Sequence, residues 1–77
     1  MKVKVKLYGI LRDKLPRETK GQSELDLPPQ STLQDLLNTL QITTMVKASV
    51  NDELERDLQR ELQEGDDVQL FRPIGGG

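Results

Sequence analysis

The stretch Asp67-Val68-Gln69-Leu70-Phe71-Arg72-Pro73-Ile74-Gly75-Gly76-Gly77 decides the fold and points to the function. Its first half alternates apolar and polar side chains, the period-2 pattern of a strand with Val68 and Leu70 inward and Phe71 facing the other way. Its second half ends in three glycines and an α-carboxylate. We read residues 1–72 as one domain and 73–77 as a flexible C-terminal tail held out by the last strand. Extended residues span roughly 3.3–3.6 Å each, so Arg72, Pro73, Ile74, Gly75, Gly76 and Gly77 reach on the order of 20 Å. Glycine has no Cβ to clash with channel walls, so such a tail can be threaded into a partner.

The remainder of the chain bounds what the tail can be attached to. A chain of 77 residues forms one domain, and at that size buries only roughly 60–65% of the surface its unfolded form exposes. A deep enzyme cleft is not expected. Hydrophobic residues at 34% and charged residues at 31% describe an ordinary folded domain. No apolar run approaches the roughly 18–20 residues of a membrane span, and Met1-Lys2-Val3-Lys4-Val5-Lys6-Leu7 lacks the uninterrupted apolar stretch of a secretory signal. A cytoplasmic protein is expected. Cysteine and histidine are both absent, which removes the thiolate nucleophile, the disulfide and the usual zinc ligands. The net charge of −2 supplies no overall field toward nucleic acid or an anionic membrane. A partner protein is the better expectation.

Along the chain, Val3, Val5 and Leu7 alternate with Lys2, Lys4, Lys6 and Tyr8, a strand with one face in the core. Ile10, Leu11 and Leu15 have the spacing of a short helical turn that Pro16 ends. Arg17 to Gln22 reads as a polar loop, and Ser23 to Leu27 as a second strand completing a long-looped hairpin. Pro28-Pro29 stops it, and Ser31 with Gln34 has capping-box spacing. Leu33, Leu36, Leu37 and Leu40 then form a single stripe, predicting a helix over about 32–41. Gln41 to Thr44 reads as a polar link, Met45 to Val50 as a strand, and Asn51-Asp52 as a turn. For residues 53–64, a second short helix and an irregular stretch with a brief edge strand are both allowed. Gly65-Asp66 makes a turn before the last strand, Asp67 to Arg72. Strands before and after one helix give an α+β domain, a mixed sheet of 4–5 strands with the helix across one face. The first and last strands alternate most strongly and are expected to lie side by side in its middle.

This arrangement, with Ala48-Ser49-Val50-Asn51, Gly65-Asp66-Asp67-Val68-Gln69-Leu70-Phe71, Pro73-Ile74 and Gly76-Gly77, resembles the MoaD/ThiS family of ubiquitin-like sulfur carriers. With Lys4 to Leu15 the resemblance covers nearly the whole chain, and the segment from Tyr8 to Leu15 looks more like the MoaD branch. Arg72 stands where MoaD proteins often have proline, and Gly75 adds a third glycine. The resemblance implies a β-grasp fold and a carrier with no catalytic activity of its own and no bound cofactor. An adenylating partner similar to ubiquitin-activating enzymes would use ATP and magnesium to convert the Gly77 carboxylate into an acyl-adenylate. A sulfur donor would then make the thiocarboxylate, and the large subunit of molybdopterin synthase, or an equivalent acceptor, would receive the sulfur. A ThiS-like role in thiamine thiazole synthesis, and a ubiquitin-like modifier joined to lysine through Gly77, are the alternatives.

Tyr8, Phe71, Lys4 and Lys6 would share the open face of the sheet if the first and last strands are neighbours. As the chain's two aromatics both point away from the core, a partner-docking patch is expected there; a solvated lysine face is the plainer reading. The acids Glu64, Asp66 and Asp67 read as turn residues beside Gly65, and no metal site is expected.

Overall fold

The computed structural model describes residues 1–73. The order of elements is β1 (Lys2–Leu7), two 3-10 turns (Gly9–Lys14 and Arg17–Thr19), β2 (Gln22–Asp26), α1 (Leu33–Thr39), β3 (Lys47–Val50), β4 (Glu53–Glu55) and β5 (Asp67–Phe71). The strands form one five-stranded sheet in the order β2-β1-β5-β3-β4. β1 and β5 run parallel, with Leu7 opposite Leu70, and every other pairing is antiparallel. The strongest alternating strands thus lie side by side, because both can bury a full apolar face only away from the sheet's edges. Val3, Val5, Leu7, Val68 and Leu70 are at most 2% exposed and meet the stripe of α1, where Leu33 and Leu36 are fully buried. Each buried leucine of that stripe contributes roughly 2 kcal/mol relative to exposure.

The helix begins one residue later than the sequence implies. Thr32, not Ser31, is the N-cap: its hydroxyl accepts from Asp35 N–H at 3.2 Å, and the Asp35 carboxylate accepts from Thr32 N–H at 2.9 Å. Ser31 instead donates its hydroxyl to the Pro28 carbonyl at 2.7 Å, closing the turn after the two prolines, and Gln34 donates to Asn38. Either residue pair satisfies the spacing rule. The turn uses Ser31, which leaves Thr32 in the extended backbone an N-cap needs.

The helix also ends earlier than 41, in a Schellman motif. Gln41 takes a left-handed φ of 58°, its N–H reaches the Asn38 carbonyl, and the N–H of Ile42 reaches that of Leu37 at 2.9 Å. The expected polar link is corrected accordingly, since Ile42 is 4% exposed and belongs to the core. The third strand is shorter than Met45 to Val50, starting at Lys47, and Met45 stands 79% exposed.

Between 53 and 64 the brief edge strand prevails over a second helix. Leu54 is exposed on β4 while Leu62 is buried, so the leucine spacing of four does not mark one face. The backbone here goes to α1: Leu33 N–H donates to the Arg60 carbonyl and Gln34 N–H to that of Leu58. These bonds satisfy first-turn donors that a separate helix would leave open. Asp66 fastens the entry to β5, accepting from the Asn51 amide at 2.9 Å and from Gln63 N–H at 2.8 Å.

Candidate functional site

β5 ends at Phe71, and Arg72 and Pro73 leave the sheet from its middle. The parallel register places Tyr8 and Phe71 one step past the Leu7–Leu70 pair, on the face that α1 does not cover. Tyr8 N–H continues the ladder to the Leu70 carbonyl. The rings meet edge to face, with centroids 6.4 Å apart and planes at 83°, a favoured aromatic geometry. Lys6 Nζ lies 5.1 Å from the Tyr8 ring centroid, within cation–π range.

Tyr8 and Phe71 border an open depression of about 650 Å³, lined also by Gly9, Ile10, Gln69, Arg72 and Pro73. The structure therefore brings Tyr8, Lys6, Phe71, Arg72 and Pro73 together at the root of the tail. Lys4 is not among them. It lies further down the same face, opposite Glu24 on one side and Asp67 on the other. Ile74, Gly75, Gly76 and Gly77 lie outside the described residues.

Ile10 is a member that the sequence reading missed. It is 65% exposed and rims the depression, whereas Leu11 is buried. Two adjacent apolar residues in a single 3-10 turn cannot both face inward, and that was the available signal. Lys47, opposite Phe71 across β3 and β5, is the other; it follows only from the register.

The platform depends on one glycine. Gly21 has φ +79°, and a Cβ there would stand 2.9 Å from the Leu7 carbonyl oxygen and 2.9 Å from Arg12 Cγ. Its own carbonyl accepts from Leu7 N–H at 2.7 Å, which joins the return of the loop to the base of Tyr8. Gly21→Ala is expected to destabilise the domain by about 2 kcal/mol from the backbone conformation alone. A denaturant titration checks this, and an unchanged midpoint would contradict it.

Asp66 is committed to Asn51 and Gln63, as described above. Among the described residues no group of three or more His, Cys, Asp or Glu side chains is placed to hold a metal ion. No helix among them is long and apolar enough to cross a membrane.

Comparison with known proteins places these features in context. The sequence profile of the ThiS family matches residues 5–77. Among solved structures, a putative molybdopterin converting factor subunit 1 from Pyrococcus furiosus superposes with a TM-score of 0.76 at 23% identity, covering 96% of this chain and 99% of that one. SAMP1 from Haloferax volcanii gives 0.74 at 18% identity, covering both chains fully. The protein–protein complex of subunits 1 and 2 of the molybdopterin-converting factor from Helicobacter pylori contains a chain matching at 0.67 and 23% identity, again over all of both chains. At these identities the likeness establishes the ubiquitin-like β-grasp fold. No curated protein sequence matches.

Proposed function

Because the chain belongs to the ThiS family, we propose that it is a sulfur carrier whose reactive group is the Gly77 carboxylate. The observation that supports this reading most is that a central strand leads directly into Arg72 and Pro73 beside an open aromatic depression. The domain thereby joins a threadable terminus to a surface that a partner can grip.

A carboxylate is a poor acyl donor. In the proposed cycle an adenylating partner, with ATP and magnesium, joins the Gly77 carboxylate oxygen to the α-phosphorus and releases pyrophosphate. Hydrosulfide, the simplest sulfide-level nucleophile, then attacks the acyl carbon, its C–S bond forms as the C–O bond to AMP breaks, and loss of the proton leaves the thiocarboxylate. With no cysteine in the chain, the carrier offers the sulfur no thiol, and the terminal carbonyl carbon is the atom proposed to take it. The carrier contributes the acyl group and the docking surface, and the partners contribute the nucleotide site.

For the acceptor we favour a pterin precursor bound by the large subunit of a molybdopterin synthase. The likeness to the subunit 1 structures supports this choice. The likeness to SAMP1 keeps a protein-modifier role in view. Incubating the thiocarboxylated protein with each candidate acceptor separates the readings. Discharge to the carboxylate only with the molybdopterin synthase large subunit supports the first. Discharge only with thiazole synthase supports the thiamine role, and adducts on lysines support the modifier.

Tyr8, Phe71 and Lys6 are the proposed grip, with Lys4 at its periphery. Phe71→Ala is expected to weaken association with the adenylating partner about thirtyfold, as loss of an interface anchor of about 2 kcal/mol does. Phe71 is only half-buried, so thermal unfolding should move far less than for a core substitution. Isothermal titration and calorimetry on the same variant check both; a large loss of stability with unchanged affinity would return Phe71 to a purely structural role.

A further inference from the structure

The register sorts charged side chains along the strand axis. One end of the sheet carries the tail root. There Lys47 stands opposite Phe71, and the segment between β1 and β2 leaves beside Tyr8 and returns at Gln22. That end holds Arg12, Lys14, Arg17, Lys20, Lys47 and Arg72 against Asp13, Glu18 and Glu55, the last opposite Ala48 and paired with Arg60. At the far end, where β1 and β5 begin, Asp26, Asp52, Glu53, Glu64 and Asp67 gather against Lys2, the Met1 ammonium paired with Asp26, and Lys4 opposite Asp67. The net charge of −2 conceals this polarity.

Two details make the cationic end more than a scatter of lysines. Arg12, Arg17 and Lys20, with Asp13, line a second hollow of about 420 Å³, and Gly9 borders both it and the aromatic depression. In addition, none of Arg12, Arg17, Lys20, Lys47 and Arg72 has an ion-pair partner among the described residues, where Met1–Asp26 and Arg60–Glu55 are the salt bridges.

We propose that this cationic end is a docking collar, and that the protein which takes the tail presents an acidic surface around the opening that admits Gly77. The inference rests on the carrier reading and adds the chemistry of the partner's rim. An acidic rim would attract the tail-bearing pole and repel the opposite one, so the domain arrives tail first. The occupant is protein rather than nucleotide. At full extension the five residues beyond Arg72 span at most roughly 17 Å, enough to let a partner hold the activated carboxylate beyond the ~8 Å screening length of physiological salt.

The test uses the adenylating enzyme that loads the wild-type chain, with loading rate followed against salt. Arg17→Glu combined with Lys47→Glu alters exposed side chains on two sides of the tail root. This variant is expected to lower kcat/KM about tenfold at low salt, as steered association allows, to flatten the salt dependence, and to leave kcat unchanged. Glu53→Lys, at the far pole, should leave kcat/KM within twofold, although it changes the net charge by the same amount per site. Equal kcat/KM for the double variant and wild type, or a loss confined to kcat, overturns the collar. So would wild-type-only resonance shifts at Arg17 and Lys20 with ATP in the absence of enzyme, which would assign the hollow to nucleotide. Failure of every adenylating enzyme to load the wild type would instead remove the carrier reading beneath it.

Discussion

Removing Gly77 is expected to abolish sulfur loading entirely while leaving thermal unfolding nearly unchanged. Glycine has no side chain to bury, and the buried apolar side chains of the described residues run from Val3 to Leu70, so little loss of stability is expected. What it removes is position. The new terminal carboxylate, on Gly76, would fall about 3.5 Å short of the phosphate it must attack, and a 1 Å misplacement already costs on the order of a hundredfold in rate. Loading is read by intact mass and stability by calorimetry. Retained loading would place the reactive group elsewhere, and loss of folding would contradict a separation between the tail and the domain.

The second large effect concerns the strand that carries the tail. Leu70→Ala, at a position with no solvent exposure between β1 and β3, is expected to destabilise the domain by about 3 kcal/mol, through lost transfer energy and the residual cavity. Total stability for 77 residues is roughly 4–12 kcal/mol, so this is a large share. The midpoint should fall by about 15 °C. Loading by a saturating partner should persist below that midpoint, because the residues at the tail root are untouched. A change of less than about 3 °C would mean that β5 is not the centre of the core. The two substitutions thus make opposite demands: one removes chemistry without stability, the other stability without chemistry.

How far the sequence carried the reading depends on the kind of signal. Alternation at Val3, Val5 and Leu7 and at Val68 and Leu70 records burial of one face, so the central strands and their adjacency were legible. The stripe from Leu33 to Leu40 was legible for the same reason. The cap was not: Ser31 and Thr32 both offer a hydroxyl three residues before a suitable partner, and only the turn after Pro28-Pro29 decides between them. Ile42 was lost among polar neighbours because a left-handed Gln41 turns it back into the core. Residues 53–64 stayed open between a helix and a brief edge strand, because their leucine spacing suits a helix while only the structure shows the backbone engaged with the start of α1.

The site divides in the same way. Tyr8 and Phe71 could be paired in advance because they flank the two adjacent strands, and Lys6 follows by alternation. Ile10, Lys47 and the Arg12–Lys20 hollow required the register and the path of the loop. Charge polarity is the clearest example. In the linear chain the acids and bases are interleaved, and only the reversal of direction at each turn gathers them at opposite ends of the sheet.

The most direct measurement is the intact mass of the full-length protein after incubation with its adenylating enzyme, ATP, magnesium and a sulfur source, with fragmentation to locate any change. Exchange of one oxygen for one sulfur, confined to Gly77 and lost when ATP is omitted, is the expected result. An unchanged mass, or sulfur found at any other residue, would contradict the carrier function.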